Sequence, residues 1–358
     1  MESFYIEYEL GGAPIKRGIG KGFPCFIIAE AGVNHNGSLD LAFKLVDAAA
    51  EAGADAVKFQ TFTAEKTIAK NAPKADYQIA NTGNAESQFD MVKKLEFNAE
   101  QFKKIKRRCE EKNILFVSTP FDEDSVELLA ALNVPFYKIA SGEITNYRLL
   151  ARTASKGKPI ILSTGMSKLE EVSDALAVIR RERNVPVAVL HCVSNYPSAV
   201  EDSNLSVMAA MRERFQIPVG WSDHTLGINV AVAAAAIGAE IVEKHFTLSN
   251  AMEGPDHRAS LEPDKLAAMV KGIKEAQAAL GDGVKRRMTS EENTAAIARK
   301  SLHAARLIPS GKRLDVNDVA LMRPGTGIPA NRFDEFVGRR VKRDVEAYKM
   351  LAEEDFEA

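Results

Sequence analysis

The stretch Ile217–His245 constrains the fold most. It reads I-P-V-G-W-S-D-H-T, then a run of Ala, Val and Ile, then A-E-I-V-E-K-H-F-T. Two short apolar runs, Ile217–Trp221 and Glu240–Val242, have the length of buried strands, and Gly227–Gly238 between them has the composition of one buried helix. Strand, helix and strand in that order make the two strands parallel neighbours. Both run into polar residues: Ser222, Asp223 and His224 on the first, Glu243, Lys244 and His245 on the second. Parallel pairing therefore sets His224 beside His245. Two imidazoles at one rim either cap backbone groups or open a metal site.

The same unit recurs upstream. Apolar runs at Phe26–Ala29, Ala56–Phe59, Ile114–Ser118, Phe136–Ala140, Pro159–Leu162 and Val187–Leu190 are each followed by a segment with helical spacing, such as Leu41, Ala42, Leu45, Val46 and Ala49 behind a capping Ser38. Eight strand–helix units predict a parallel sheet closed into a (β/α)8 TIM barrel over residues 1–281. An open doubly wound sheet calls for G-x-G-x-x-G after its first strand, and the loop there is G-V-N-H-N-G. Thr61–Asn98 is too long for an ordinary connection, which predicts either a functional lid or a loop with some helix of its own, Glu86–Leu95 being the candidate helix. Composition then shifts. Residues 282–299 are charged and read as a linker, and residues 300–358 alternate short apolar pieces with P-S-G-K, R-P-G-T-G-I-P and G-R-R, the pattern of a small β-rich domain.

With 358 residues there is ample chain for a large core, and a formal net charge of −2 supplies no field toward nucleic acid or membrane. The basic run Lys103–Arg108 is interleaved with apolar residues and reads as a solvated helix face. No apolar window reaches the length of a membrane span. Met1–Ile15 is acidic and lacks a signal-peptide pattern. Cys25, Cys109 and Cys192 are widely spaced with no C-x-x-C, which suits free thiols in a reducing cytoplasm.

In such barrels the site lies at the C-terminal ends of the strands. Here those ends carry Glu30, Lys58, Gln60, Thr119, Lys138, Ser141, Glu143, Ser163, Ser194, Tyr196, Ser222, His224, Glu243 and His245. Buried strands rarely contain lysine, yet V-K-F-Q and Y-K-I-A each place one. Two lysines with hydroxyls from several strands make a basket for a small dianion such as a phosphate. Glu30, Glu143 and Glu243 are candidates for acid–base work or for orienting metal ligands. Two histidines with carboxylate and water suit Mn2+ or Mg2+ better than a closed zinc site.

The strings F-I-I-A-E-A-G-V-N-H-N-G, V-K-F-Q-T, S-T-P-F, Y-K-I-A-S-G-E, I-L-S-T-G-M, L-H-C-V-S-N-Y-P, G-W-S-D-H-T and E-K-H-F-T resemble the sialic acid synthase family, and the C-terminal segment, down to M-R-P-G, resembles its antifreeze-like (SAF) domain. The resemblance implies condensation of phosphoenolpyruvate with an N-acylated mannose-type sugar, releasing phosphate. It implies that Lys58, Thr119, Lys138, Ser141, Ser163, Ser194 and Ser222 hold phosphoenolpyruvate. It also implies that His224 and His245 hold the metal and that Gln60, Glu143, Tyr196, Asp256 and Arg323 meet the sugar, with Glu30 and Glu243 flanking the reacting centre. The small domain is implied to cap the barrel of a partner in a domain-swapped homodimer. Two other readings are a 3-deoxy-heptulosonate-type synthase on the same barrel and a sugar- or ice-binding protein without catalysis.

Overall fold

A computed structural model describes residues 2–357, which form two compact units that divide between Gly281 and Asp282. The first opens with an antiparallel hairpin, β1 (Ser3–Leu10) and β2 (Ala13–Gly20), turning at Gly11-Gly12, both at positive φ. Eight strands follow: β3 (Phe26–Gly32), β4 (Ala56–Thr61), β5 (Leu115–Pro120), β6 (Tyr137–Ile139), β7 (Ile160–Ser163), β8 (Val187–Cys192), β9 (Val219–Asp223) and β10 (Ile241–His245). They pair in parallel in the order β5-β4-β3-β10-β9-β8-β7-β6, and the two end strands lie against each other, so the sheet curls into the expected barrel.

Side chains alternate strictly between two environments. Outward residues such as Val57, Phe59, Leu162, Val189, Trp221 and Val242 join the helices in one apolar layer. Inward residues split by height. Phe26, Ile28, Ala56, Leu115, Val117, Phe136, Ile161, Leu190 and Ile241 fill the lower lumen, and Phe4, Ile6 and Ile19 of the hairpin close it from below. The next inward positions up are Glu30, Lys58, Gln60, Thr119, Lys138, Ser163, Ser222, Glu243 and His245. Both lysines therefore point into the barrel.

Several boundaries differ from expectation for one reason. Strands were expected to stop where apolar residues stop, yet β3, β4, β5, β8, β9 and β10 run on through Gly32, Thr61, Pro120, Cys192, Asp223 and His245. The hydrogen-bond ladder is indifferent to side-chain polarity when the lumen itself turns polar. The helix of the opening stretch is shorter than expected, Asn229–Ala236. The N-terminal residues, given no structure from sequence, form the hairpin. The long segment after β4 holds three short helices, Ala64–Thr67, Asp76–Thr82 and Gln88–Lys93. Among the described residues no helix is long and apolar enough to cross a membrane.

The second unit contains a two-stranded antiparallel sheet, β11 (Ser301–Ala304) and β12 (Val319–Met322), around Leu302, Ile308, Leu314, Ile328, Phe336, Val341 and Phe356. Within the segment read as a linker, Glu292–Ala298 is helical, and Ala296 O accepts a bond from Gly325 N at 2.7 Å. Arg323 sits on an exposed loop before a cis Pro324.

Candidate active site

All fifteen barrel residues singled out from sequence border one cavity of about 560 Å³ at the C-terminal ends of the strands: Glu30, Lys58, Gln60, Thr119, Lys138, Ser141, Glu143, Ser163, Ser194, Tyr196, Ser222, His224, Glu243, His245 and Asp256. Arg323 belongs to the second unit.

The lumen charges form a chain. Lys58 Nζ lies 2.8 Å from Glu30 Oε2 and 3.7 Å from Glu243 Oε1, and donates to Thr119 Oγ1 at 3.1 Å. Lys138 Nζ lies 3.6 Å from the same Glu243 oxygen and donates to Ser163 Oγ at 2.7 Å. Ser222 Oγ donates to Glu243 at 3.3 Å, and Gln60 Nε2 to Glu30 at 3.2 Å. A bulge in β3 between Glu30 and Gly32, with Gly32 at φ +53°, sets Glu30 in this position.

Environment separates the two carboxyls. Burial raises Glu30 to about 7 against the pull of Lys58. Glu243 suffers the same burial, but Lys138, Lys58 and His224 together hold it below its ordinary value. One acid is poised to exchange a proton near neutrality while the other stays ionised. Burial drags Lys58 down, and Glu243 and Glu30 more than offset it, whereas burial wins at Lys138 and leaves it below the usual lysine range.

His224 and His245 stand with ring centroids 5.6 Å apart at 62°, and Tyr196, preceding a cis Pro197, lies against both at 4.2 and 5.5 Å. His224 Nδ1 bonds Val193 O at 2.6 Å. Burial lowers His224 to about 4 and, with the nearby His224, Lys58 and Lys244, holds His245 far below the usual range, so both rings are neutral with a lone pair to offer. Among the described residues no cluster of three or more His, Cys, Asp or Glu is spaced for a metal. The pair nevertheless fits a cation that takes its remaining ligands from water and substrate: His245 Nδ1 and Glu243 Oε2 are buried without a hydrogen-bond partner.

Above Lys138, Ser141 Oγ accepts from Gly165 N at 2.9 Å and lies 3.1 Å from Cys192 Sγ, while Ser194 Oγ is buried without a partner. Burial raises Asp256 to about 6 against Lys58. Glu143 is half-buried and accepts from Asn146 Nδ2 at 2.8 Å.

Sequence reasoning missed one wall. Phe62, Tyr77, Gln78, Gln88, Met91, Val92 and Leu95 from the long segment after β4 line the cavity, and Tyr77 lies 5.1 Å from Tyr196. The segment's length was the only signal. It is fastened to the loop after β10 by Asn81 Nδ2 to Pro255 O and Arg258 to Ala80 O.

The fold is a barrel whose mouth gathers two buried lysines, serine and threonine hydroxyls and a histidine pair, and the family it belongs to is one of synthases. The chain belongs to the NeuB family, which it matches over residues 45–285, and residues 299–357 match the SAF domain. It is 44% identical over 329 residues to the N,N'-diacetyllegionaminic acid synthase of Campylobacter jejuni (91% of this chain, 98% of that protein) and 43% identical over 343 residues to that of Legionella pneumophila (95% and 96%). Among solved structures it is similar to the N-acetylneuraminic acid (sialic acid) synthetase of Leptospira borgpetersenii in complex with citrate, with TM-score 0.69 and 36% identity over 81% of this chain and 95% of that one. The reading as a non-catalytic binding protein is thereby set aside.

Proposed function

We propose that this enzyme condenses phosphoenolpyruvate with 2,4-diacetamido-2,4,6-trideoxymannose, forming N,N'-diacetyllegionaminate and releasing phosphate. The observation that carries the chemistry is the pairing of two lumen lysines with two neutral imidazoles in one cavity. Lys58, Lys138 and the hydroxyls of Thr119, Ser141, Ser163, Ser194 and Ser222 surround the phosphate of phosphoenolpyruvate. These charges are in place beforehand, so the leaving phosphate is stabilised without reorganisation. His224 and His245 hold a divalent cation, Mn2+ or Mg2+, which when bound supplies Lewis-acid polarisation of the sugar aldehyde. The enol C3 attacks the aldehyde carbon, water adds at C2, and the tetrahedral centre collapses with loss of phosphate. Glu30, with its carboxyl near 7, is the group suited to accept the proton of the added water, and Glu243 keeps the lysines charged.

Gln60, Glu143, Tyr196 and Asp256 hold the sugar, and Arg323 reaches it from the partner subunit of a domain-swapped homodimer. Met166, Val200 and Leu226, exposed on the loops after β7, β8 and β9, give the mouth an apolar lip for such docking. Three buried free thiols suit a cytoplasmic enzyme. The choice of sugar rests on the two legionaminic acid synthase relatives and on the apolar wall of Phe62, Val92 and Leu95, which suits a deoxy, doubly acylated ring. Phosphate release with the two sugars tests both levels. A higher kcat/KM for the diacetamido sugar than for N-acetylmannosamine is expected. The reverse order overturns the sugar, and no release with either overturns the reaction.

A further inference from the structure

Asp223 and Lys244 do not border the cavity, yet each immediately precedes one of the paired histidines. They are register partners on β9 and β10, on the outward face that also carries Trp221 and Val242. Asp223 Oδ2 lies 2.8 Å from Lys244 Nζ, and both side chains are 0% exposed. Asp223 Oδ1 accepts from Thr225 N at 2.9 Å and from Thr225 Oγ1 at 2.8 Å, while Lys244 Nζ donates to Thr225 O. These bonds close around His224, whose carbonyl accepts from Ser198 N at 2.9 Å. His245 Nδ1 has no hydrogen-bond partner, so the backbone of β10, with the packing of Tyr196 and His224 against the ring, sets where it stands.

An ion pair buried in an apolar layer adds little net stability, and apolar side chains of similar volume in its place are often neutral or stabilising. The geometry assigns Asp223 and Lys244 as positioning residues that lock the ends of β9 and β10 together and so fix the separation of His224 and His245. The assignment rests on the reading of those histidines as ligands of a divalent cation.

The test is the double variant Asp223→Leu, Lys244→Met, with Mn2+ binding to metal-stripped protein followed by electron paramagnetic resonance. Phosphoenolpyruvate binding without metal is measured by calorimetry, and Tm by scanning calorimetry. The Mn2+ Kd should rise about tenfold or more, as for other groups that orient metal ligands, with Tm held or raised and phosphoenolpyruvate binding unchanged. An unchanged Mn2+ Kd overturns the assignment. So does a joint fall in Tm and in affinity for both ligands, which marks the pair as ordinary structural support. Should the double variant not fold, Thr225→Val, which removes only the hydroxyl bond to Asp223, is titrated instead. A weaker Mn2+ affinity supports the assignment, and an unchanged one overturns it. A native enzyme that binds no Mn2+ overturns the metal reading and this assignment with it, an outcome distinct from the others.

Discussion

Replacing Gly165 by alanine should damage the phosphate end of the site more than the fold. An added Cβ would stand 2.2 Å from Ser194 Oγ, 2.8 Å from Cys192 Sγ and 3.0 Å from Ser141 Oγ. Ordinary carbon contacts begin near about 3.5 Å, so all three atoms must retreat. Overpacking of this kind costs about 1–3 kcal/mol, and losing the Gly165 N–H bond to Ser141 costs about 1 kcal/mol more. The sum, about 2–4 kcal/mol, is a cost to the folded state, and only the share relieved by the retreat opposes binding, so roughly 30- to 1000-fold is a ceiling on the effect. Ser141 and Ser194 border the cavity, so with the phosphate where it is proposed to bind they retreat into its space, and the cost is expected as a higher KM for phosphoenolpyruvate. Phosphate release against varied phosphoenolpyruvate measures it. A Gly165→Ala enzyme with KM for phosphoenolpyruvate within twofold of the native value would refute the placement of these groups at the phosphate.

His224→Ala or His245→Ala should abolish tight Mn2+ binding and nearly all turnover with the fold retained, as judged by metal content and circular dichroism; full activity in metal-stripped native enzyme refutes the metal role. Asp256 is held near 6 by burial while its unfolded counterpart ionises near 3.8. The unfolded state therefore releases this proton first, and native stability falls as pH rises from about 4 to about 6. The Tm of Asp256→Asn relative to the native enzyme should accordingly climb across that window and level off above it, and a pH-independent difference counts against the buried carboxyl. Finally, Lys58→Ala and Arg323→Ala homodimers should each be nearly dead, and heterodimers formed by subunit exchange should regain one working site in two; verified heterodimers without activity show that Arg323 does not act across the subunit boundary.

The barrel was legible because its alternation is local: each short run, three to five residues long, announces a strand, and the polar residue that follows announces the mouth. Lys58 and Lys138 stood out for the same reason, as charges inside runs that otherwise exclude them. The hairpin was legible in principle, through Phe4, Ile6 and Tyr8 alternating with Glu7 and Glu9 ahead of Gly11-Gly12, but Tyr5 on the exposed face interrupts the period. What stayed hidden depends on convergence. Gly165 matters because Ser141, Cys192 and Ser194 arrive from other strands, Tyr77 because the lid folds back onto Tyr196, and Asp223 because β10 brings Lys244 opposite it. Spacing along the chain carries none of these.

The apolar lower lumen, sealed by Phe4, Ile6 and Ile19, makes the barrel a blind alley. Lys58 and Lys138 stand one inward position above that apolar plug, deep in the lumen, while Tyr77 and Tyr196 line the mouth. Traffic through a single doorway imposes a queue. With the roles proposed for these residues, phosphoenolpyruvate at the lysines is the deeper reactant and is expected to enter first, and the phosphate it leaves behind to depart after the larger sugar acid in front of it.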